Sequence, residues 1–129
     1  MLGSAPYYKK HKETLKETLL VNFDCVSDGD AICFFPNKKL KKQEKLLAAL
    51  EENFLPRNGK TVEVVRGAGH YPSDQAAFPF GVGVAALHGN RFFQYLGRIH
   101  TKRDTVFDPE NIELLRRGAV MLAEKMKTE

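Results

Sequence analysis

Few side chains in this sequence have both the type and the placement for chemistry. His100 stands out. It lies in His100-Thr101-Lys102-Arg103-Asp104-Thr105, where an extended stretch breaks into a polar turn ahead of a capped helix. An imidazole there can present a ring nitrogen to a metal, and a purely structural role suits the position equally. Asp24 is the second. It closes the apolar segment Leu20-Val21-Asn22-Phe23. A carboxylate at the end of a buried strand must be paired, hydrogen-bonded or metal-bound to offset its desolvation. Capping the turn over residues 25–29 would satisfy it too.

The other candidates are weaker. His70 lies in the Gly-rich loop over residues 67–72 and could face a cleft. His11 sits among lysines and reads as an exposed helix residue. His88 reads as a boundary residue at a strand end. Ser73-Asp74 ahead of Phe78 reads as a helix cap in preference to a catalytic pair. Cys25 would serve a Cys–His hydrolase only if its strand neighboured that of His100. Successive strand residues point to opposite faces, so Cys25 and Asp24 share a site only where the strand has already ended. There is no Gly-x-Ser-x-Gly elbow and no phosphate-binding loop. Gly67-Ala68-Gly69 lacks the rest of a dinucleotide fingerprint.

The elements that must position these residues follow from pattern. Tyr8, His11, Leu15 and Leu19 fall at helical spacing behind Ser4, an expected N-cap, with Pro6 in the first turn. Residues 20–24 read as a strand, and Ser27-Asp28-Gly29-Asp30 as a turn. Residues 31–35 form a second apolar strand stopped by Pro36. Leu40, Leu47, Leu50 and Phe54 make one stripe of a second helix that ends at Pro56 and Asn58-Gly59. Residues 61–65 alternate as a strand. Gly81-Val82-Gly83-Val84-Ala85-Ala86-Leu87 is a buried strand with little room for bulk, and residues 91–99 are extended. Asp108-Pro109-Glu110 is a strong helix start. Ile112, Leu115, Ala119, Leu122 and Met126 mark the expected buried face of that last helix. Strands alternating with helices predict an α/β layered fold with a mixed, mostly parallel sheet. In such sheets ligand groups gather past the carboxyl ends of strands, which is where Asp24 and His100 stand.

With 129 residues, 43% of them hydrophobic and 28% charged, the chain has the size and balance of one globular domain. No apolar run approaches the roughly 18 residues that span a bilayer. The first residues carry no apolar signal region, which points to the cytoplasm if Met1 is the true start and leaves localisation open otherwise. Two cysteines exclude a disulfide-dense scaffold and a four-cysteine zinc module. The net charge of +4 is concentrated between Lys38 and Lys45. That run has no interleaved stacking aromatics, so it reads as a solvated helix face and not as a nucleic-acid surface.

Together these segments resemble the second half of the dinuclear zinc aminopeptidases, the bacterial leucyl aminopeptidase and aminopeptidase Y type of zinc exopeptidase. In that family a strand-end Asp in an Asn-x-Asp context binds one zinc, and a His in a His-Thr-x-x-Asp-Thr context binds the other. A Ser-Asp-x-x-x-Phe segment and a Gly-rich apolar strand lie between them. Here Asn22-Phe23-Asp24, His100-Thr101-Lys102-Arg103-Asp104-Thr105, Ser73-Asp74-Gln75-Ala76-Ala77-Phe78 and Gly81–Leu87 match in order and spacing. The match runs from Leu2 to the last helix.

The resemblance implies the C-terminal half of a three-layer sandwich that hydrolyses peptide bonds near a chain terminus. It implies Asp24 and His100 as zinc ligands, with His70, Asp74, Asp104 and Thr105 as cleft or supporting residues. Family members carry Glu-Glu-x-Gly-x-x-Gly-Ser before a helix, the first Glu acting as general base and the second as a ligand. This chain opens Met1-Leu2-Gly3-Ser4, as if within that motif. Glu13 and Glu17 fall on a solvated helix face and offer no substitute. The expectation is therefore a truncated peptidase-like domain over residues 1–129 that binds zinc weakly and is inactive alone. The competing expectation is a non-catalytic α/β module that pairs with itself or with a partner protein through an exposed sheet edge, with Gly81–Leu87 near that edge.

Overall fold

The computed structural model describes residues 3–67, 74–88 and 108–128. Four short, largely β-branched or small-residue segments form its sheet: β1 (Leu20–Phe23), β2 (Ala31–Pro36), β3 (Thr61–Val64) and β4 (Gly81–Leu87). Their order across the sheet is β1-β4-β2-β3. β1 runs parallel to β4, β2 runs parallel to β3, and the central β2–β4 pair is antiparallel. This is the mixed, mostly parallel α/β sheet that the pattern predicts. β4, however, is not near an edge. It is paired on both sides, and all seven of its residues are buried. Among the described residues β1 and β3 are the outer strands. Small side chains on β4 reflect central crowding, not an unpaired border.

Alternation along β4 sorts its side chains between two layers. Val82, Val84 and Ala86 join Ile32 and Phe34 in the main core. That core is closed by α4 (Glu44–Asn53), through Leu47, Leu50 and Phe54, and by α5 (Pro109–Thr128), through Leu114, Leu115 and Leu122. Gly81 and Gly83 face the other way. A Cβ at Gly83 would lie 2.5 Å from the Gln75 amide nitrogen, so the 3-10 turn Asp74–Ala77 packs directly on the strand there. α1 (Ser4–Lys10) lies against that turn, with Tyr8 and Phe78 meeting edge to face at 5.4 Å.

Several elements differ from the sequence pattern for identifiable reasons. Gly3, not Ser4, occupies the N-cap of α1, and Ser4 is its first helical residue. The predicted long helix breaks at His11, whose N–H bonds to both Tyr7 and Tyr8 carbonyls, and resumes briefly as α2 (Lys12–Leu15). Neither piece has a buried residue, so little tertiary packing supports a longer helix. The second helix is likewise split, into α3 (Lys38–Lys41) and α4, around Lys42 and Gln43. Asn37 precedes α3 but spends its amide elsewhere, donating to Gln75 O at 2.8 Å and Phe78 O at 2.6 Å.

α5 starts where expected: Asp108 Oδ1 accepts the Glu110 N–H at 3.0 Å. Its buried face is rotated, however. Asn111, Leu114, Leu115, Gly118 and Leu122 point inward, while Ile112 and Met126 are exposed. The helix presents Gly118 to the Phe54 ring, which allows the closest approach.

Candidate metal centre

Asp24 sits one residue past β1, whose last residue, Phe23, pairs with Val84, while its parallel neighbour β4 continues to Leu87. The Asp24 N–H donates to Val84 O at 3.0 Å, and the Cys25 carbonyl accepts from Ala86 N at 3.1 Å. The chain therefore still tracks β4 after the strand pattern ends. Cys25 then takes a left-handed conformation, φ +61°, which is uncommon for a residue with a Cβ. This turn removes the strict alternation, and the Cys25 thiol donates to Asp24 Oδ1 at 3.4 Å. The two side chains are brought together because the strand has ended, the one condition under which they could share a site.

The loop from Asp24 to Asp30 is gripped from several elements. Asn111 Nδ2 donates to Val26 O at 2.9 Å and to Gly29 O at 3.0 Å. Asp108 N–H donates to Ser27 O at 2.9 Å. Lys60 Nζ donates to Gly29 O at 3.3 Å, to Asp30 at 3.4 Å and to Asp108. His88, just past β4, is 2.8 Å from Asp28 Oδ1 through Nε2, a satisfied boundary histidine. Gly29 has φ +137°, and a Cβ there would lie 2.7 Å from the Leu87 backbone, so only glycine fits the turn.

Electrostatics sharpen this frame. The Lys60 ammonium holds the Asp108 carboxyl below its usual value, the Glu110 N–H assisting. Burial works against the charge on Lys60 itself. Asp108 and Asp30 more than offset this, so its pKa is raised. Cys33, on the covered face of β2, is pushed up to about 11 by burial, with Glu63 adding to it. No disulfide joins Cys25 and Cys33.

Asp74 is exposed in the first turn of the 3-10 helix. His100, His70, Asp104 and Thr105 lie outside the described residues, as do the extended segment 91–99 and most of the loop 67–72. Glu13 and Glu17 are exposed, as the helical period requires, and Glu13 pairs with Lys16 at 3.2 Å.

Among the described residues no three His, Cys, Asp or Glu side chains converge as a metal site. Zinc takes three or four protein ligands, so these residues do not complete a centre. Sequence pattern missed Asn111 and Lys60. One signal was available: Asn111 is a polar residue on the stripe 111, 115, 118, 122 that α5 buries.

The described residues thus give a mixed α/β sheet covered by helices, with Asp24 directly after β1 at the start of a hydrogen-bonded loop. The model of peptidase family M28 matches residues 1–124. The chain belongs to that family, one of zinc aminopeptidase type. No curated protein and no solved structure matches the chain.

Proposed function

We propose that this chain carries part of the centre of a zinc-dependent exopeptidase, in which Asp24 and His100 each donate one ligand, to different zinc ions. The observation that carries this reading is the placement of Asp24. It directly follows β1, its N–H bonded to Val84 O three residues before β4 ends at Leu87, and leads into a loop held by β4 and by Asn111, in a chain matched by the M28 model almost throughout. Zinc, if held there, would supply a bound water of lowered pKa and a Lewis acid toward a carbonyl. The chain's own contribution is to hold Asp24 in place through the backbone bonds of its loop.

One carboxylate and one imidazole, divided between two ions, hold neither tightly. The 129 residues contain no Glu-Glu-x-Gly-x-x-Gly-Ser segment, and a metal-bound water needs a positioned base. The isolated chain therefore binds zinc weakly and does not turn over peptides. Titrating zinc into the wild type, Asp24→Asn and His100→Ala tests the assignment by amide NMR. Each substitution weakens binding if the two residues are ligands. Titrations unchanged from wild type would overturn it.

A further inference from the structure

We propose that the cavity between the segment ending α4 and the middle of α5 is a binding site for the C-terminal residue of a peptide, one with an apolar side chain. The cavity holds about 300 Å³, at the lower end of the range for small-ligand sites. None of its lining residues belongs to the Asp24 loop, and the inference does not rest on Asp24 being a metal ligand.

The walls divide by chemistry. Leu55, Leu114 and Met121 give an apolar side, and Asn53, Arg57 and Arg117 a polar one. Leu55 and Met121 are both exposed. Large apolar side chains scattered singly on a surface need no explanation. Two that line one concavity offer an apolar group a place to leave water, and seating it there would cover both.

The charges around the cavity are unevenly matched. Arg57 Nε is buried without a hydrogen-bond partner. Its acidic neighbour, Glu110 Oε2, stands off at 3.5 Å and already accepts from Asn58 Nδ2 at 2.7 Å. Glu113 is divided as well, accepting from Arg116 at 3.0 and 2.7 Å and from Arg117 Nε at 3.0 Å. Three guanidiniums thus share two carboxylates. A carboxylate brought by a ligand would complete the set, and the planar fork of arginine suits that group.

Asn53 adds a direction. It is 7% exposed, and its Nδ2 donates to Ala49 O at 2.7 Å. That bond orients the amide and leaves Oδ1 as an acceptor. Among the described residues no donor reaches Oδ1, and the atom is not sealed off, so it is open to an N–H from a ligand. Carboxylate, N–H donor and apolar side chain on one small unit are the chemistry of a peptide's last residue. A fatty acid lacks the N–H, and an internal peptide segment lacks the carboxylate.

The test is a titration of the whole chain with N-acetyl-L-leucine, followed by amide NMR. Saturable shifts are expected at residues 53–58 and 114–121, with a Kd on the order of 1 mM for a ligand this small. Three comparison ligands each lack one group: N-acetyl-L-leucinamide the carboxylate, 4-methylpentanoate the N–H, and N-acetylglycine the side chain. Each should bind about tenfold more weakly, or worse. Arg57→Gln should weaken N-acetyl-L-leucine and leave N-acetyl-L-leucinamide unchanged, a split that a loss of folding would not produce. Asn53→Ala should erase the preference for N-acetyl-L-leucine over 4-methylpentanoate.

Absence of saturable shifts at these residues, well above that concentration, would overturn the proposal. So would equal binding of the leucinamide, or unchanged affinity in folded Arg57→Gln. If 4-methylpentanoate binds as tightly as N-acetyl-L-leucine, the cavity takes simple apolar acids and the peptide assignment fails. Should Asn53→Ala not fold, that comparison on the wild type decides the same point.

Discussion

Asn22 donates its side-chain amide to Gln75 Oε1 across 3.1 Å, tying the strand that leads to Asp24 to the 3-10 turn packed on β4. Gln75 is 1% exposed, and its backbone carbonyl is held in turn by Asn37. A buried polar pair of this kind stabilises only when both partners are satisfied. It also fixes which face of β1 the Asn presents, two residues before the candidate ligand. The Asn-x-Asp segment therefore has a division of labour: Asn22 anchors the strand, and Asp24 is left for the loop.

Gly83 makes room for that pair. Alanine there would set a Cβ 2.5 Å from Gln75 Nε2 and 2.8 Å from its Cδ. The amide tip must move, and its bond to Asn22 breaks with it. Gly83→Ala should cost about 1–3 kcal/mol of stability in urea unfolding, although alanine is otherwise the better strand residue. Stability equal to wild type would show that the turn yields freely.

Gly118 and Phe54 make a second close contact, between α5 and α4. A Cβ at Gly118 would lie 2.2 Å from the Phe54 ring, and Phe54 is fully buried against Phe34 at 4.8 Å between ring centres. Helix propensity favours Gly118→Ala by about 1 kcal/mol. Overpacking opposes it by more, so the expected result is a net loss of about 1–2 kcal/mol. Phe54→Ala should cost about 3–5 kcal/mol by opening a cavity. In Phe54→Ala, Gly118→Ala should turn neutral or stabilising. Chemical denaturation of the four proteins checks all three outcomes.

The Lys60–Asp108 pair predicts how stability depends on pH. The pKa of Asp108 is depressed, chiefly by its bond to Lys60. Its contribution is thus present above the usual carboxylate value near 3.8 and lost as pH falls through the lowered one. The pKa of Lys60 is raised despite burial, through Asp108 and Asp30. Its contribution is present below the usual 10.5 and lost as pH rises through the raised value. Asp108→Asn keeps a capping side chain for Glu110 N–H but loses the charge, and should be about 1–3 kcal/mol less stable at pH 7. Its acid limb should be flatter than that of the wild type, and Lys60→Met should flatten the alkaline limb. Parallel limbs in wild type and variants would contradict this.

The two thiols should be distinguishable. Cys33 is 6% exposed with its pKa pushed up to about 11 by burial and Glu63, so little nucleophilic thiolate forms at neutral pH. Cys25 is only half-buried, at the loop. Timed labelling with an aromatic disulfide should modify Cys25 in the native protein and Cys33 only on unfolding. Cys25→Ser should abolish the native phase. Equal rates at both thiols would be evidence against the packing of the covered face.

Local chemistry explains what pattern could reach. Leu40, Leu47, Leu50 and Phe54 are all fully buried, because a helical stripe has few other ways to leave water. The β2 run ends at Pro36, and α5 starts after Asp108. Asp24 was legible as a candidate because an acid at the end of an apolar run is costly wherever it lands.

Pattern failed where the deciding contact is distant in sequence. Small residues in β4 suggest either an edge or a crowded centre, and only pairing with both β1 and β2 decides between them. The face of α5 turned on a glycine against Phe54, which periodicity counts as no signal. Asn111 was passed over because its partners, Val26 and Gly29, lie more than eighty residues upstream.

The central claim is that Asp24 belongs to a zinc exopeptidase centre which this chain does not complete by itself. The most direct measurement is zinc competition between the purified chain and a chromophoric chelator of micromolar affinity, with a chromogenic aminoacyl substrate assayed in the same samples. The expected result is that the chain fails to compete, shows no turnover, and takes up zinc only weakly, with Asp24→Asn weaker still. Tight binding of two zinc ions, or clear turnover above the zinc blank, would contradict it.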